Sequence, residues 1–277
     1  MNVLSLFDGI SCGQVALNRM GIKYDNYYAS EIDKHAIQIT QYNYPNTIQL
    51  GDVKKWGEWD IDFSKIDLIL AGFPCQSWSM AGKMGGATDP RGQLMFDMMD
   101  IYNHIKQLNP NVRFLFENVR MKKEFQDYVN TVIGVEPIEI SSSKFVPQAR
   151  QRLYWTNIPN VEQPTQVEYD VNSFIDGNGF PSSCGLDRVF KRKKVFNTLT
   201  ATYYKGIRGS GRPAVSLSEG YLDDNREFHR MLTPEECEKL QSVPVGYTSC
   251  ASKTQRYKMI GNGWTVDVIA HIFGGLK

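Results

Sequence analysis

Cys75 stands in the stretch GFPCQSWS, residues 72–79, directly after the apolar run DLILA. A lone cysteine is most often a small core residue. Here the flanking Phe-Pro and the following MAGKMGGATDPRG read as an exposed turn leading into a moving loop. A redox role needs a partner thiol, and a metal role needs neighbouring Cys or His; the sequence around Cys75 supplies neither. A nucleophile remains, activated if a positive environment lowers the thiol pKa. Glu117 closes the apolar stretch FLFENV. Partial desolvation there would favour a proton-donating carboxyl, although a helix-capping carboxylate is the plainer reading of Glu117 alone. In FVPQARQRLYW, Gln148, Arg150 and Arg152 alternate, so an extended segment turns all three to one side. Two guanidiniums and an amide in a row suit phosphate, or an anionic intermediate. A solvated strand face is the alternative, and the flanking Val, Leu, Tyr and Trp argue against full exposure.

The elements that must position these groups follow a rhythm. NVLSLF, YDNYYASE, TIQL, IDLILAG, RFLFEN and PIEIS read as strands, and GQVALNRMG, DKHAIQITQYNYP, residues 93–108 and KKEFQDYVNTVIG as helices between them. That alternation predicts βαβ units in an α/β, doubly wound, mostly parallel sheet. Ligands of such sheets bind beyond the carboxyl ends of the strands. Asp8, Glu31, Asp52, Cys75 and Glu117 all fall at those ends, on one rim.

Three acidic groups on three successive strand ends favour a nucleoside site. FDGISCG is a tight glycine turn before a helix, where a ligand can approach backbone N–H groups. It lacks the G-x-G-x-x-G fingerprint, which argues against a nicotinamide dinucleotide. Glu31 in ASEID suits ribose hydroxyls, and Asp52 in LGDV suits an exocyclic amine. Singly, each is as readily a surface carboxylate or a cap. An adenosine-type ligand without a pyrophosphate fits the three together.

After residue 158 the rhythm is lost in Pro-, Gly-, Asn- and Ser-rich sequence, and an irregular region is expected. Regularity returns in TPEECEKLQSVP, a helix with Thr233 as N-cap and Glu236 at the capping-box position, and in VDVIAHIFGGL, an amphipathic helix. Arg188, Lys191, Arg192, Lys193, Lys194, Lys205, Arg208 and Arg212 share a stretch without a single acidic residue, with Phe190, Phe196, Tyr203 and Tyr204 interleaved. Against a formal net charge of +1 for all 277 residues, that is a local polyanion footprint or a solvated basic face. The five cysteines have no C-x-x-C pair, which speaks against a disulfide framework and a structural zinc site. The opening MNVLSLFDGI does not read as a signal peptide, and no apolar run is long enough to span a bilayer, so a soluble intracellular protein is expected.

Taken in order, these motifs resemble those of the C5-cytosine DNA methyltransferases across nearly the whole chain. LSLFDGISCG is similar to the family's first motif, ASEID and LGDV to the second and third, and GFPCQSWS to the Pro-Cys motif. RGQLMFD resembles the fifth, FENV the Glu-Asn-Val motif, QARQR the Gln-x-Arg-x-Arg motif, RMLTPEECEKLQSVP the ninth and GNGWTVDVI the tenth. The tenth has Gly263 and Trp264 after Asn262 where bacterial members usually have Ser or Ala and then Val; the Trp is reminiscent of the animal de novo branch.

The resemblance implies a Rossmann-like S-adenosylmethionine-dependent fold, with residues 1–158 plus 245–277 as catalytic and cofactor-binding domain and 159–244 as target-recognition domain. It implies Cys75 as nucleophile, Glu117 as its acid partner, and Arg150 and Arg152 as clamps on Glu117 and the base. S-adenosylmethionine would lie against Phe7, Asp8, Gly9, Ile10, Glu31, Ile32, Asp52, Val53, Pro74, Leu94, Asn262, Gly263 and Trp264, leaving S-adenosylhomocysteine as product, with no metal. Double-stranded DNA would meet Gln76, Ser77, Gln148, Arg188, Arg192, Lys193, Lys205 and Arg208. The glycine-rich loop after Cys75 would close over a flipped-out base. A monomer in the cytoplasm of a prokaryotic or phage-infected cell is expected, with no membrane partner and a cognate restriction endonuclease as a candidate partner. An RNA cytosine methyltransferase of the same fold is the nearest rival.

Overall fold

The structure, a computed structural model, describes residues 1–74, 93–177, 179–184, 190–207, 211–217 and 229–277. The chain forms two compact units. One comprises Met1–Ile140, Gln151–Gln163 and Ala270–Lys277; the other comprises Ser141–Arg150 and Pro164–Ile269.

The first unit is built in the order β1 (Asn2–Leu6), α1 (Cys12–Arg19), β2 (Asn26–Ser30), α2 (Lys34–Asn43), β3 (Ile48–Gln49), β4 (Ile66–Gly72), α3 (Gln93–Leu108), β5 (Arg113–Val119), α4 (Lys123–Ile133) and β6 (Ile138–Ser141). After the short β7 (Gln148–Ala149), β8 (Gln151–Thr156) returns to it. Its seven-stranded sheet has the order β3-β2-β1-β4-β5-β8-β6, parallel from β3 to β5, with β8 antiparallel to β5. The expected mostly parallel α/β sheet is therefore present. The strands carry continuous rather than alternating apolar runs because helices cover both faces; Val3, Leu4 and Leu6 of β1 and Leu68–Ala71 of β4 are all inaccessible. Helix α3 buries Met95, Met98, Met99, Ile101, Tyr102 and Ile105, a stripe at helical spacing, while Leu108 at its end is half exposed. The chain winds outward from β1 in both directions, so the β1/β4 junction is the switch point beyond which ligands bind in open α/β sheets.

In the second unit β9 (Phe180–Cys184), β10 (Phe190–Arg192), β12 (Pro213–Ser216) and β13 (His229–Arg230) form an antiparallel sheet of order β10-β9-β12-β13, while β11 (Phe196–Asn197) pairs with β7. α5 (Pro234–Leu240) and α6 (Lys253–Asn262) follow, and α7 (Val266–Phe273) runs across the division between the units. α5 begins with the expected capping box of Thr233 and Glu236. Two findings differ from the sequence reading. The region expected to be irregular holds a four-stranded sheet, and residues 245–269, expected with the cofactor-binding domain, are compact with the second unit. No described helix is long and apolar enough to cross a membrane.

Candidate active site

The loop after β1 has alternating left-handed residues, Phe7 at φ 55°, Gly9 at 61° and Ser11 at 59°. Side-chain-bearing residues adopt this conformation at a cost, and such strain collects at binding loops. A Cβ on Gly9 would meet nothing within 4 Å, so the loop is open at that point. Glu31 ties the loop to the end of β2: its Oε2 accepts the Gly9 N–H at 2.8 Å, and its Oε1 accepts those of Ile32 at 2.7 Å and Asp33 at 2.8 Å. The Asp8 N–H donates to the Ser30 carbonyl at 3.1 Å, and the Ser30 hydroxyl to the Gly51 carbonyl at 2.7 Å. Phe7–Ile10, Glu31 and Asp52 are thus joined through the ends of β1, β2 and β3. Asp52 caps a 3-10 turn through the Lys54 N–H at 3.0 Å. Ile32, 73% exposed, offers an apolar face beside them. Carboxylates, an open glycine turn and an exposed aliphatic face suit the adenosine-type ligand without a pyrophosphate that the sequence suggests.

Val53 is buried in the core, with Leu94 packed against the same cluster. Asp8 also turns inward. The Tyr27 hydroxyl donates to its Oδ1 at 2.9 Å, while Oδ2 is buried without a hydrogen-bond partner among the described residues. Burial pushes its pKa from 3.8 up to about 6; Ser5, Ser11 and Tyr27 pull it back only in part, and the Glu31 charge adds to the rise. Burial likewise holds the Tyr27 hydroxyl well above its ordinary pKa, so it stays a donor. Tyr27 reaches Asp8 because residue 13 is a glycine: a Cβ there would lie 2.7 Å from the Tyr27 oxygen and 2.6 Å from Leu70 Cδ1.

Glu117 sits near the end of β5, buried, with Arg152 Nε of β8 at 2.9 Å from its Oε1. The antiparallel register, Glu117 opposite Tyr154 and Val119 opposite Arg152, brings the pair together. On the other side of β5, Gly72 of β4 stands opposite Glu117. The next residue, Phe73, has its carbonyl held by the buried Asn118 amide at 3.2 Å, and Pro74 follows, half-buried. Sequence reasoning gave Asn118 and Tyr27 no role. Adjacency to Glu117 was a signal for the first; nothing local marks the second. Cys75, Gln76, Ser77, Arg188, Arg208 and the glycine-rich loop lie outside the described residues.

In the second unit, the expected DNA contact at Gln148 is corrected. Its side chain is fully enclosed, donating to the Leu240 carbonyl at 2.8 Å and accepting the Leu199 N–H at 2.8 Å. An amide sealed in this way cannot also meet a duplex. Arg150, expected as a clamp on Glu117 and the base, is 5% exposed and donates to the carbonyls of Leu199, Gly261 and Gly263. The Gln148-Arg150-Arg152 row therefore splits: two members knit the backbone of the second unit, and Arg152 bonds Glu117. Asn262 ends α6 and is exposed, Gly263 is buried and Trp264 is half-buried. Exposed Arg192 stacks its guanidinium 3.6 Å from the centre of the Phe180 ring. Lys193 is exposed, and the Lys205 ammonium lies 5.9 Å from the Tyr204 ring centre. Among the described residues no group of His, Cys, Asp and Glu could hold a metal ion.

A β3-β2-β1-β4-β5 sheet with an antiparallel strand beyond it defines the α/β fold of methyltransferases, and solved structures match it along the whole chain. The Entamoeba histolytica methyltransferase EhMeth superposes with a TM-score of 0.73 at 18% identity, covering 100% of this chain and 99% of that one. The Schizosaccharomyces pombe Dnmt2 methyltransferase does so with 0.69 at 18% identity, covering 100% and 99%. The family model described as C-5 cytosine-specific DNA methylase matches residues 1–178 and 165–277, so the chain belongs to that family and is a DNA cytosine-5-methyltransferase. Among its relatives, the type II methyltransferase M.HhaI of Haemophilus parahaemolyticus is 28% identical over 98% of this chain and 93% of its own. M1.ScrFI of Lactococcus lactis subsp. cremoris is 28% identical over 96% and 75%.

Proposed function

We propose that the protein transfers a methyl group from S-adenosylmethionine to C5 of a flipped-out cytosine in a specific DNA sequence, through a covalent bond between Cys75 and C6. The supporting observation is the pairing of Gly72 with Glu117: the chain leaves the sheet beside the Glu117–Arg152 pair and reaches Cys75 three residues later. C5 of cytosine is a weak nucleophile. A Cys75 thiolate adding to C6, with Glu117 holding or protonating N3, pushes the ring electrons towards C5. S-adenosylmethionine, when bound, supplies an electrophilic methyl group. Loss of the C5 proton and expulsion of Cys75 then restore the aromatic ring as 5-methylcytosine. Arg152 keeps Glu117 aimed, and in this reading it also meets the base or its phosphate. C5 is inaccessible in a stacked duplex, so the base must leave the stack.

In this reading Phe7–Ile10, Glu31, Ile32, Asp52, Pro74, Leu94 and Asn262–Trp264 border the cofactor. The inward-facing Asp8 and core-packed Val53 shape the pocket from behind. Arg192, Lys193 and Lys205 meet the DNA backbone. The type II names of the relatives favour a restriction–modification setting. Purified Cys75→Ala should transfer no methyl groups, and wild type with cofactor should form a trapped adduct on DNA carrying 5-fluorocytosine. Methyl transfer by the Ala variant would sink the assignment.

A further inference from the structure

We infer that Arg150 is a positioning residue, whose guanidinium holds the Leu199–Thr200 stretch against the turn at Gly261–Trp264 and so couples target recognition to the cofactor side. The coupling rests on the functional reading above, in which residues 159–244 read DNA and Asn262–Trp264 border S-adenosylmethionine. The mechanical part rests on geometry alone. Arg150 Nη1 donates to the Leu199 carbonyl at 2.8 Å, and Nη2 donates to those of Gly263 at 2.9 Å and Gly261 at 3.3 Å. These last carbonyls lie at the C-terminal end of α6, where backbone acceptors lack helical partners and a cation is favoured.

Two amides complete the arrangement. Gln148 accepts the Leu199 N–H and donates to the Leu240 carbonyl. Gln241, fully buried, donates to the Ile260 carbonyl at 3.0 Å and that of Gly263 at 3.2 Å, and accepts the Thr265 hydroxyl at 2.7 Å. Gly261 permits the contact: a Cβ there would stand 2.3 Å from the Thr200 carbonyl carbon and 2.4 Å from its oxygen. Backbone is thus pressed on backbone, and one side chain bridges both. Displacement of Leu199 by a bound duplex has a short, stiff path to Gly263. A lysine has one point of charge and cannot span the two segments as the guanidinium fork does.

The test uses the full chain carrying Arg150→Lys or Arg150→Gln. In Arg150→Lys, backbone hydrogen exchange should rise together in residues 199–203 and 260–265. Affinity for S-adenosylmethionine, measured without DNA, should fall by about tenfold, the equivalent of one charge-assisted hydrogen bond. In Arg150→Gln, the slope of log DNA affinity against log salt concentration should match wild type, because no phosphate contact is removed. A slope reduced by about one, with cofactor affinity unchanged, would make Arg150 a phosphate contact and overturn the inference. Unchanged exchange in either segment of Arg150→Lys would overturn it as well. If wild type itself binds no S-adenosylmethionine, the functional reading fails, and the exchange result still judges the bridge on its own.

Discussion

Asp8 makes the protein less stable at neutral pH than it would be without that charge, and Asp8→Asn tests this directly. The carboxyl turns inward with its Oδ2 buried and unpartnered among the described residues, and its pKa is raised from 3.8 to about 6. Between those values the native state binds more protons than the unfolded chain, so stability falls as pH rises through that window. The full penalty is present above about pH 6 and vanishes below about pH 4. The distance from 3.8 to about 6 corresponds to about 3 kcal/mol. Asparagine keeps an acceptor for the Tyr27 hydroxyl and removes the charge. Urea unfolding of both proteins between pH 4 and 8 should find Asp8→Asn more stable by up to about 3 kcal/mol at pH 8, the gap closing as pH falls towards 4. A gap that does not change with pH, or a variant less stable throughout, would refute the reasoning. The cost is tolerable at a loop already holding Phe7, Gly9 and Ser11 in left-handed conformations, because strain and unpaired charge concentrate where ligands bind.

Arg152→Ala strips the guanidinium from Glu117 and should lower the single-turnover methylation rate by about 100-fold, with cofactor affinity within about twofold of wild type; an unchanged rate would show the pair to be structural only. Asn118→Ala leaves the Phe73 carbonyl without its donor, which should cost about 1–2 kcal/mol in thermal unfolding. Its kcat should drop further than its KM for DNA rises, since Cys75 is only two residues beyond the anchor. Gly13→Ala drives a methyl group into Leu70 and the Tyr27 hydroxyl, both sealed in the core, and should cost about 1–3 kcal/mol in denaturant unfolding.

The parallel strands and their rim were legible because long apolar runs, helical spacing and caps are local properties. Gly21 and Gly134, both at positive φ, follow α1 and α4. The sheet of the second unit was not legible. Its strands have only two to five residues and β9 begins Phe-Pro, so no periodicity builds up. α6 leaves little local signal, because KTQRYKMIGN is polar and carries only a weak apolar stripe. Spacing showed that Gln148 and Arg150 share a face, but it carries no information about what covers that face. The covering residues, Leu199, Leu240 and Gly261, lie roughly 50 to 110 positions further on.

By itself, the sequence determined which chemistry the chain carries and the order in which strand ends present it, since motif identity and βαβ rhythm are written in neighbouring residues. Tertiary structure alone decided which polar groups face a ligand and which are consumed inside. Asp8 turns to Tyr27, Gln148 and Arg150 turn to backbone carbonyls, and Glu117 keeps Arg152. Those outcomes depend on partners that only folding brings within hydrogen-bonding distance, and a buried polar group must take whichever partner is there.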